Sequence, residues 1–391
     1  MVLRVKELSI LSLGNVMGLK KIILNTLLGF INFFVRFMKI KENQVAFVSL
    51  ESAHLESDLL LIYDELSKDK NLIIKKVLIG YDKNNLIQDF FYMLNCIKQI
   101  FIINTSKVVF IRDNNYVISN FKREEVKVIQ VWHACGAIKK FGNVIDREYP
   151  IQNYDYVLSN SDYWKEPYSQ AFGITQKHVM TTGMPRVDCL CQKEYLQKTR
   201  KQLLKKYPML EGKRVILYAP TFRGNIYKGF QSVPFDALKV MKSLGEDDYL
   251  LYKFHPLLKD VQLAQHDRII NMNHEDTHAL FTISDILVSD FSSIIFDYSL
   301  LNKPMCFFVP DLDQYLENLG CFVDYHTMPG PICHSENELI SALSSKQEYD
   351  VEGFKERFFK YQDGHNIDRV INMTYQILND EEVDIEKRFH F

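Results

Sequence analysis

Two successive series of short apolar runs, each alternating with helical stretches, restrict this chain more than any other feature. In the first series Val45–Ser49, Ile73–Ile79, Val108–Ile111, Val128–Val131 and Tyr156–Leu158 are apolar nearly throughout and rich in β-branched residues. A strand with one wet face alternates polar and apolar side chains, so continuous runs imply strands covered on both faces, as in a parallel sheet. Helical patterns lie between them at Ser57–Ser67, with Ser57 or Asp58 as its cap, and at Asn85–Lys98. Gln192–Lys206 reads as a charged surface helix, and 208–213 as a linker. The alternation then restarts with strands at Val215–Tyr218, Tyr249–Phe254, Ile269–Asn271, Ile286–Val288 and Met305–Val309. Helices are expected near 234–244, 276–283 and 293–301, followed by a helical tail at 336–345, 351–361 and 366–379. At 391 residues the chain exceeds one ordinary core. The expected fold is therefore α/β, with two Rossmann-like domains, 45–210 and 211–391, facing each other across a cleft.

The segment 1–44 stands apart. From Ile22 to Met38 it is strongly apolar, yet Lys21, Asn25, Gly29, Asn32, Arg36 and Lys39 recur every three or four positions and form one polar stripe on a helix. A spanning helix needs about 20 apolar residues, and Phe33-Phe34-Val35-Arg36 offers no small-residue cleavage site for a signal peptide. The pattern fits a helix lying in a bilayer interface, flanked by Lys20, Lys21, Lys39 and Lys41. The alternative is a helix buried in the protein core.

Composition excludes little. The net charge is −2, so nothing global argues for nucleic acid, and any anion site must be built locally. Seven scattered cysteines without a CxxC pair argue against a secreted disulfide framework and for a reducing cytosol. Cys189 with Cys191, or Cys333 beside His334, lacks a second pair at zinc-site spacing, so no metal and no cofactor is expected.

In open parallel sheets ligands bind where strands end, so the chemistry should lie there. His133 follows the apolar run 128–132 and precedes the turn at Gly136, with Lys139 and Lys140 beyond. A histidine so placed can take a proton from an attacking hydroxyl, or merely cap its strand. The lysines could steer a phosphate-bearing acceptor or simply be solvated. In the second half His255 ends the strand at 249–254 and is followed by Pro256. Two histidines at corresponding strand ends of facing domains point into one cleft. Thr221 and Arg223 also follow a strand, and a guanidinium can hold phosphate oxygens bidentately. Ser289-Asp290 ends another strand, and Ser292 and Ser293 stand where the next helix begins, an arrangement suited to an anion. Simple N-capping accounts for one serine but not for the run. Asp297, further into that helix, could accept from ribose hydroxyls or lie at the surface.

The ordered set WHACGAIKKFG (132–142), TGMPRVD (182–188), YAPTFRG (218–224), KFHP (253–256), SDFSSIIFDY (289–298), NKPMCFF (302–308), MPGP (328–331) and DG (363–364) resembles the CDP-glycerol glycerophosphotransferase family of teichoic acid biosynthesis. The resemblance implies the two-domain GT-B architecture. It matches His133 and His255 to the family's two active-site histidines, and Arg223, Ser292 and Ser293 to its donor-phosphate contacts. It also implies CDP-glycerol or CDP-ribitol as donor, an undecaprenyl-diphosphate-linked acceptor, CMP as product, and peripheral attachment to the cytoplasmic face of a bacterial membrane. Thr221, Asp290, Asp297, Gly136 and Lys139 complete the expected substrate contacts. There are departures: 49–58 lacks the family's glycine-bearing turn, and Ala-Cys-Gly follows His133 where polymerizing members carry Gly-Thr-Pro. That form and the short chain resemble the primases. A polymerase, a nucleotide-sugar glycosyltransferase of the same architecture, and a non-catalytic membrane scaffold are the competing readings.

Overall fold

Each series of apolar runs forms one parallel sheet. The computed structural model describes residues 22–387 apart from 51, 81–85, 148, 226–228, 256–257, 259–260 and 346–347. The first half comprises helix α1 (22–35), β1 (Lys41–Ser49), α2 (Ser57–Leu66), β2 (Ile73–Leu78), α3 (Leu86–Asn104), β3 (Ser106–Ile111), α4 (Tyr116–Phe121), β4 (Lys127–Gln130), β5 (Tyr156–Ser159), α5 (Lys165–Phe172), β6 (Val179–Thr181) and α6 (Lys193–Lys206). The second comprises β7 (Arg214–Tyr218), β8 (Arg223–Asn225), β9 (Gly229–Gln231), α7 (Ala237–Ser243), β10 (Asp248–Tyr252), β11 (Ile269–Asn271), α8 (Thr277–Ile283), β12 (Ile286–Ser289), α9 (Ile294–Ser299), β13 (Met305–Phe308), α10 (Leu312–Leu319), β14 (Ile332–Cys333), α11 (Glu336–Ser344), α12 (Val351–Phe358) and α13 (Asn366–Leu378).

The strand orders are β2-β1-β3-β4-β5-β6 and β11-β10-β7-β12-β13-β14. Counted within its own half, the second sheet runs 3-2-1-4-5-6, the order of dinucleotide-binding sheets, and the first is a 2-1-3-4-5-6 variant of the same winding. This is the GT-B-like pair of Rossmann-like domains. Neighbouring strands in both sheets are parallel, and the inner strands are buried through their centres, as in β1, where Phe47 pairs with Phe110 of β3 and their rings stack at 5.2 Å, whereas the edge strands β2 and β11 are partly exposed. Elements without an apolar run escaped the sequence reading. The hairpin β8–β9, the three-residue β6 and the two-residue β14 carry too few residues for a periodic signal. Helix α2 begins where expected, but neither Ser57 nor Asp58 caps it. Glu56 is the N-cap, with no side-chain hydrogen bond, and Asp58 is fully buried.

One apolar core runs through both domains. Phe296 of α9 packs edge-on against Trp164 at 5.4 Å, and both contact Phe358 of α12. Backbone bonds cross the junction as well: Lys140 N–H donates to Gly320 (3.2 Å) and Phe322 N–H to Ile138 (2.7 Å). The chain finally returns to the first domain, because α13 lies against α2 and β3, with Tyr375 donating to Asp69 at 3.0 Å and Lys107 paired with Asp380 at 2.6 Å. The expected second domain, 211–391, thus lends its last helix to the first sheet.

Helix α1 answers to neither expectation in full. The asparagines of its polar stripe face the protein, while Arg36 and Lys39 are exposed: Asn32 is buried and accepts from Asn104 (3.2 Å), and Tyr116 donates to Asn25. Leu28 and Val35 are buried beside them. Asn104 is fully buried, and its amide needs that acceptor, because an unpaired buried polar group costs about 1–3 kcal/mol. The aromatic side is turned outward, with Phe30, Phe33, Phe34 and Phe37 between 55% and 76% exposed. Lys20 and Lys21 lie outside the described residues. No described helix is long and apolar enough to cross a membrane.

Candidate active site

The carboxyl ends of β3 and β4 in one sheet and of β7, β10 and β12 in the other face a shared cavity of about 990 Å³. Its walls include His133, His255, Thr221, Ser292, Ser293 and Asp297 from the expected set. The two histidines, widely separated in sequence, therefore open into one space.

Local structure explains how each arrives. Beyond β4, the Gln130 side chain accepts from Trp132 N–H (2.8 Å) and donates to the Asp113 carbonyl (2.9 Å). Trp132 adopts φ +64°, a conformation unfavourable for a bulky residue by about 1–3 kcal/mol. Its indole is held by stacking on Phe141 at 4.4 Å and edge contact with Phe172 at 5.2 Å. The resulting turn carries His133 out of the strand and into the cavity. On the other side Phe254 is buried and its N–H donates to Asn273 (2.8 Å), which fixes the chain just ahead of His255. The His255 ring stands edge-on to Phe222 at 5.0 Å. Pro256, the expected strand stop, lies outside the described residues.

Thr221, Ser292 and Ser293 sit at the ends of β7 and β12, the two strands between which the winding reverses direction, where a crevice opens. Ser292 accepts from Ile294 N–H at 3.5 Å, while Ser293 is the N-cap of α9 without a side-chain capping bond. Asp290 and Arg223 lie behind this wall. Asp290 is fully buried and accepts from Thr221 N–H (2.7 Å) and from Arg223 (2.9 Å). Arg223 also forks onto Asp311 at 2.6 and 3.0 Å. In this arrangement the guanidinium is held by two carboxylates, and it shapes the Thr221 loop from beneath. Lys139 is not among the cavity walls, but its ammonium lies 5.2 Å from the Phe222 ring centre, next to His255. Gly136 serves packing: a Cβ there would stand 2.5 Å from the Trp164 ring and 2.8 Å from Phe296. Overpacking of this kind costs about 1–3 kcal/mol. Gly136→Ala should therefore lower the thermal midpoint, whereas an unchanged midpoint would mean that the domains part freely there.

The electrostatics separate the histidines. Desolvation by the cavity walls, reinforced by Arg112, Arg186, Lys139 and His255, pushes His133 well below its ordinary pKa. Burial, and then Lys139, lowers His255 as well. Both rings are neutral near pH 7, so either can accept a proton or donate a neutral N–H. A third histidine behaves oppositely. Burial would lower His278, but its bond to Asp297 (3.0 Å) overrides this and raises it to about 10. Burial disfavours charge on Asp297 too, yet Arg186 and His278 hold its carboxyl below the usual range.

The cavity also contains Arg112, Arg186, Lys253 and His278, which the strand-end reading passed over. Arg112 directly follows β3 and Lys253 follows β10, so the rule that found the histidines would have found them too. Arg186 lies inside TGMPRVD. His278, within a helix, carries no such signal. Among the described residues no group of three or more His, Cys, Asp or Glu could hold a metal ion.

A family model described as CDP-glycerol:poly(glycerophosphate) glycerophosphotransferase matches residues 30–376. A teichoic acid ribitol-phosphate primase of Bacillus spizizenii is 30% identical over 365 residues, covering 87% of this chain and 93% of the relative. A teichoic acid glycerol-phosphate primase of Bacillus subtilis is 29% identical over 305 residues, covering 73% and 78%. The solved structure of the wall teichoic acid polymerase TagF superposes with a TM-score of 0.68 at 22% identity, over 94% of this chain and 97% of that one.

Proposed function

The chain belongs to the CDP-glycerol:poly(glycerophosphate) glycerophosphotransferase family, and on that premise we propose that it transfers an alditol-phosphate from CDP-glycerol to a lipid-linked saccharide, releasing CMP in a primase-like reaction. The observation that carries this reading is the pair of neutral histidines, one from each domain, opening into one cavity beside Ser292, Ser293 and Thr221. An acceptor hydroxyl gives its proton to His133 as its oxygen bonds to the β-phosphorus, and the bond from that phosphorus to the CMP oxygen breaks. Phosphoryl transfer asks mainly for positioning and for donors where charge develops. His255 N–H, the two serine hydroxyls and Thr221 supply them, with Arg223 and Asp290 fixing the Thr221 loop. The aromatic face of α1, with exposed Phe90, Phe91, Leu94 and Phe101 on α3, supports peripheral contact with the membrane that holds such an acceptor.

CDP-ribitol is the second reading of the donor, favoured by the similarity that spans 93% of the ribitol-phosphate primase. CMP release measured with CDP-glycerol and CDP-ribitol, against a synthetic undecaprenyl-diphosphate saccharide, separates them. The expected result is turnover with one at least tenfold above the other. Turnover with UDP-sugars alone would establish a glycosyltransferase instead. A single transfer per acceptor is expected of a primase, and long products would mark a polymerase.

A further inference from the structure

Arg186 occupies a place that the transfer reaction by itself does not require. Its backbone N–H donates to Asp58 Oδ1 of α2 at 2.7 Å, and its guanidinium lies 3.5 Å from the other oxygen of that carboxylate. Across the cleft the same guanidinium lies 3.6 Å from Asp297 of α9, in the other domain, whose Oδ2 is also bound to His278. A third contact runs from Nη1 to the backbone carbonyl of His133 at 2.8 Å, and a fourth from Nη2 to Cys135 Sγ at 3.4 Å. The side chain is 13% exposed, Asp58 is fully buried, and Asp297 is 10% exposed. A cation enclosed in this way is held by fixed partners rather than by solvent. The geometry points to Arg186 as a positioning residue that ties the placement of His133 to the closure of the two domains, through Asp58 on one side and Asp297 on the other.

This explains features that otherwise stand alone. Trp132 is held in an unfavourable conformation immediately before His133, and the carbonyl of His133 is fastened immediately after it, so the histidine backbone is clamped on both sides. Asp297 sits one turn beyond Ser292 and Ser293, so the same contact links the serine wall to the histidine wall. Asp58 does not line the cavity and is too buried to meet a substrate.

The test rests on the alditol-phosphate reading for its kinetic arm and not for its spectroscopic arm. Arg186→Lys keeps the charge but lacks the planar fork that reaches both carboxylates and the carbonyl. It should lower kcat about a hundredfold, the usual consequence of a misplaced reacting group, with the KM for the CDP-alditol changed less than threefold. Asp58→Asn, at a residue that does not line the cavity, should lower kcat in the same direction with KM unchanged. The double variant should be no worse than Arg186→Lys, because both act through one contact. Losses confined to KM, or a kcat within threefold of the parent in both single variants, overturn the proposal. In ligand-free protein with 13C-labelled histidine, the His133 resonance should move in both variants while that of His255 stays. A His133 resonance unmoved in either variant overturns the proposal whether or not the parent turns over these donors. A parent that releases no CMP, with His133 moved as expected, counts against the functional reading alone. Should Arg186→Lys fail to fold, Asp58→Asn carries both readouts.

Discussion

His133→Ala and His255→Ala should each lower CMP release by about a hundredfold or more, the usual size of a general-base or charge-stabilising contribution, while the protein stays folded. Both rings border the cavity and are exposed to it, so neither truncation opens a large apolar void. The two variants should differ in how they fail. In the proposed mechanism, loss of His133 removes the proton acceptor and should be felt in kcat with nearly unchanged donor binding. In the same mechanism, loss of His255 removes a donor to the phosphates and should be felt in both. The pH profile gives an independent check on the parent. His133 must be neutral to act as a base, and desolvation with Arg112, Arg186, Lys139 and His255 holds its pKa below the ordinary histidine value. The acid limb of kcat/KM, which reports the free enzyme, should therefore lie below pH 6. The bound diphosphate brings negative charge that offsets those cations, so the acid limb of kcat should lie higher. In stability terms the sign is the same: below the ordinary histidine pKa the unfolded chain binds a proton that the folded chain refuses, so stability falls as the pH is lowered. Near-normal turnover by either purified, folded variant removes that histidine from the mechanism.

The combined variant Phe30→Ser, Phe33→Ser, Phe34→Ser and Phe37→Ser should abolish co-sedimentation with anionic vesicles and leave the thermal midpoint nearly unchanged. These rings lie on the outer side of α1 and of the turn that follows it, so their removal strips little from the core. Full burial of one such side chain is worth roughly 1.5–3 kcal/mol. Even partial insertion of four accounts for several kcal/mol of membrane affinity, a loss of more than a hundredfold in partitioning. The variant should still turn over a water-soluble acceptor, because the cavity lies at the strand ends and not at α1. Removing residues 1–41 is a different experiment, since it also takes away Leu28, Val35 and the Asn32 amide on which buried Asn104 depends. That truncation should destabilise the first domain. A serine variant that sediments as well as the parent would move the membrane contact to the exposed aromatic residues of α3, or away from the helices altogether.

The two sheets were legible in the sequence because a strand buried on both faces must be apolar throughout, and such runs survive as local pattern. The longer helices were legible for a similar reason, since α2, α6 and α13 announce themselves by periodicity and by their breaks. The cavity was half legible. Position at a strand end found His133, His255, Thr221 and the serines, and the same rule applied evenly would have added Arg112 and Lys253.

What the sequence determined by itself is whatever is recorded within a few neighbouring residues: the double winding, the strand ends and the family. Only the tertiary structure decided which polar groups face the cavity and which face each other. Arg223 follows a strand as visibly as His255 does, yet it turns onto Asp290 and Asp311, because a buried carboxylate and a half-buried one behind the wall hold a guanidinium more firmly than water does. Arg186 became a bridge between domains because Asp58 and Asp297 arrive from elements far apart in the chain. Helix α1 turned its asparagines inward to meet Asn104 and Tyr116 and its aromatic rings outward, against the ordinary sense of an amphipathic helix. Hydrophobic periodicity records that a helix has two faces, but which face is buried depends on the partners that distant segments present.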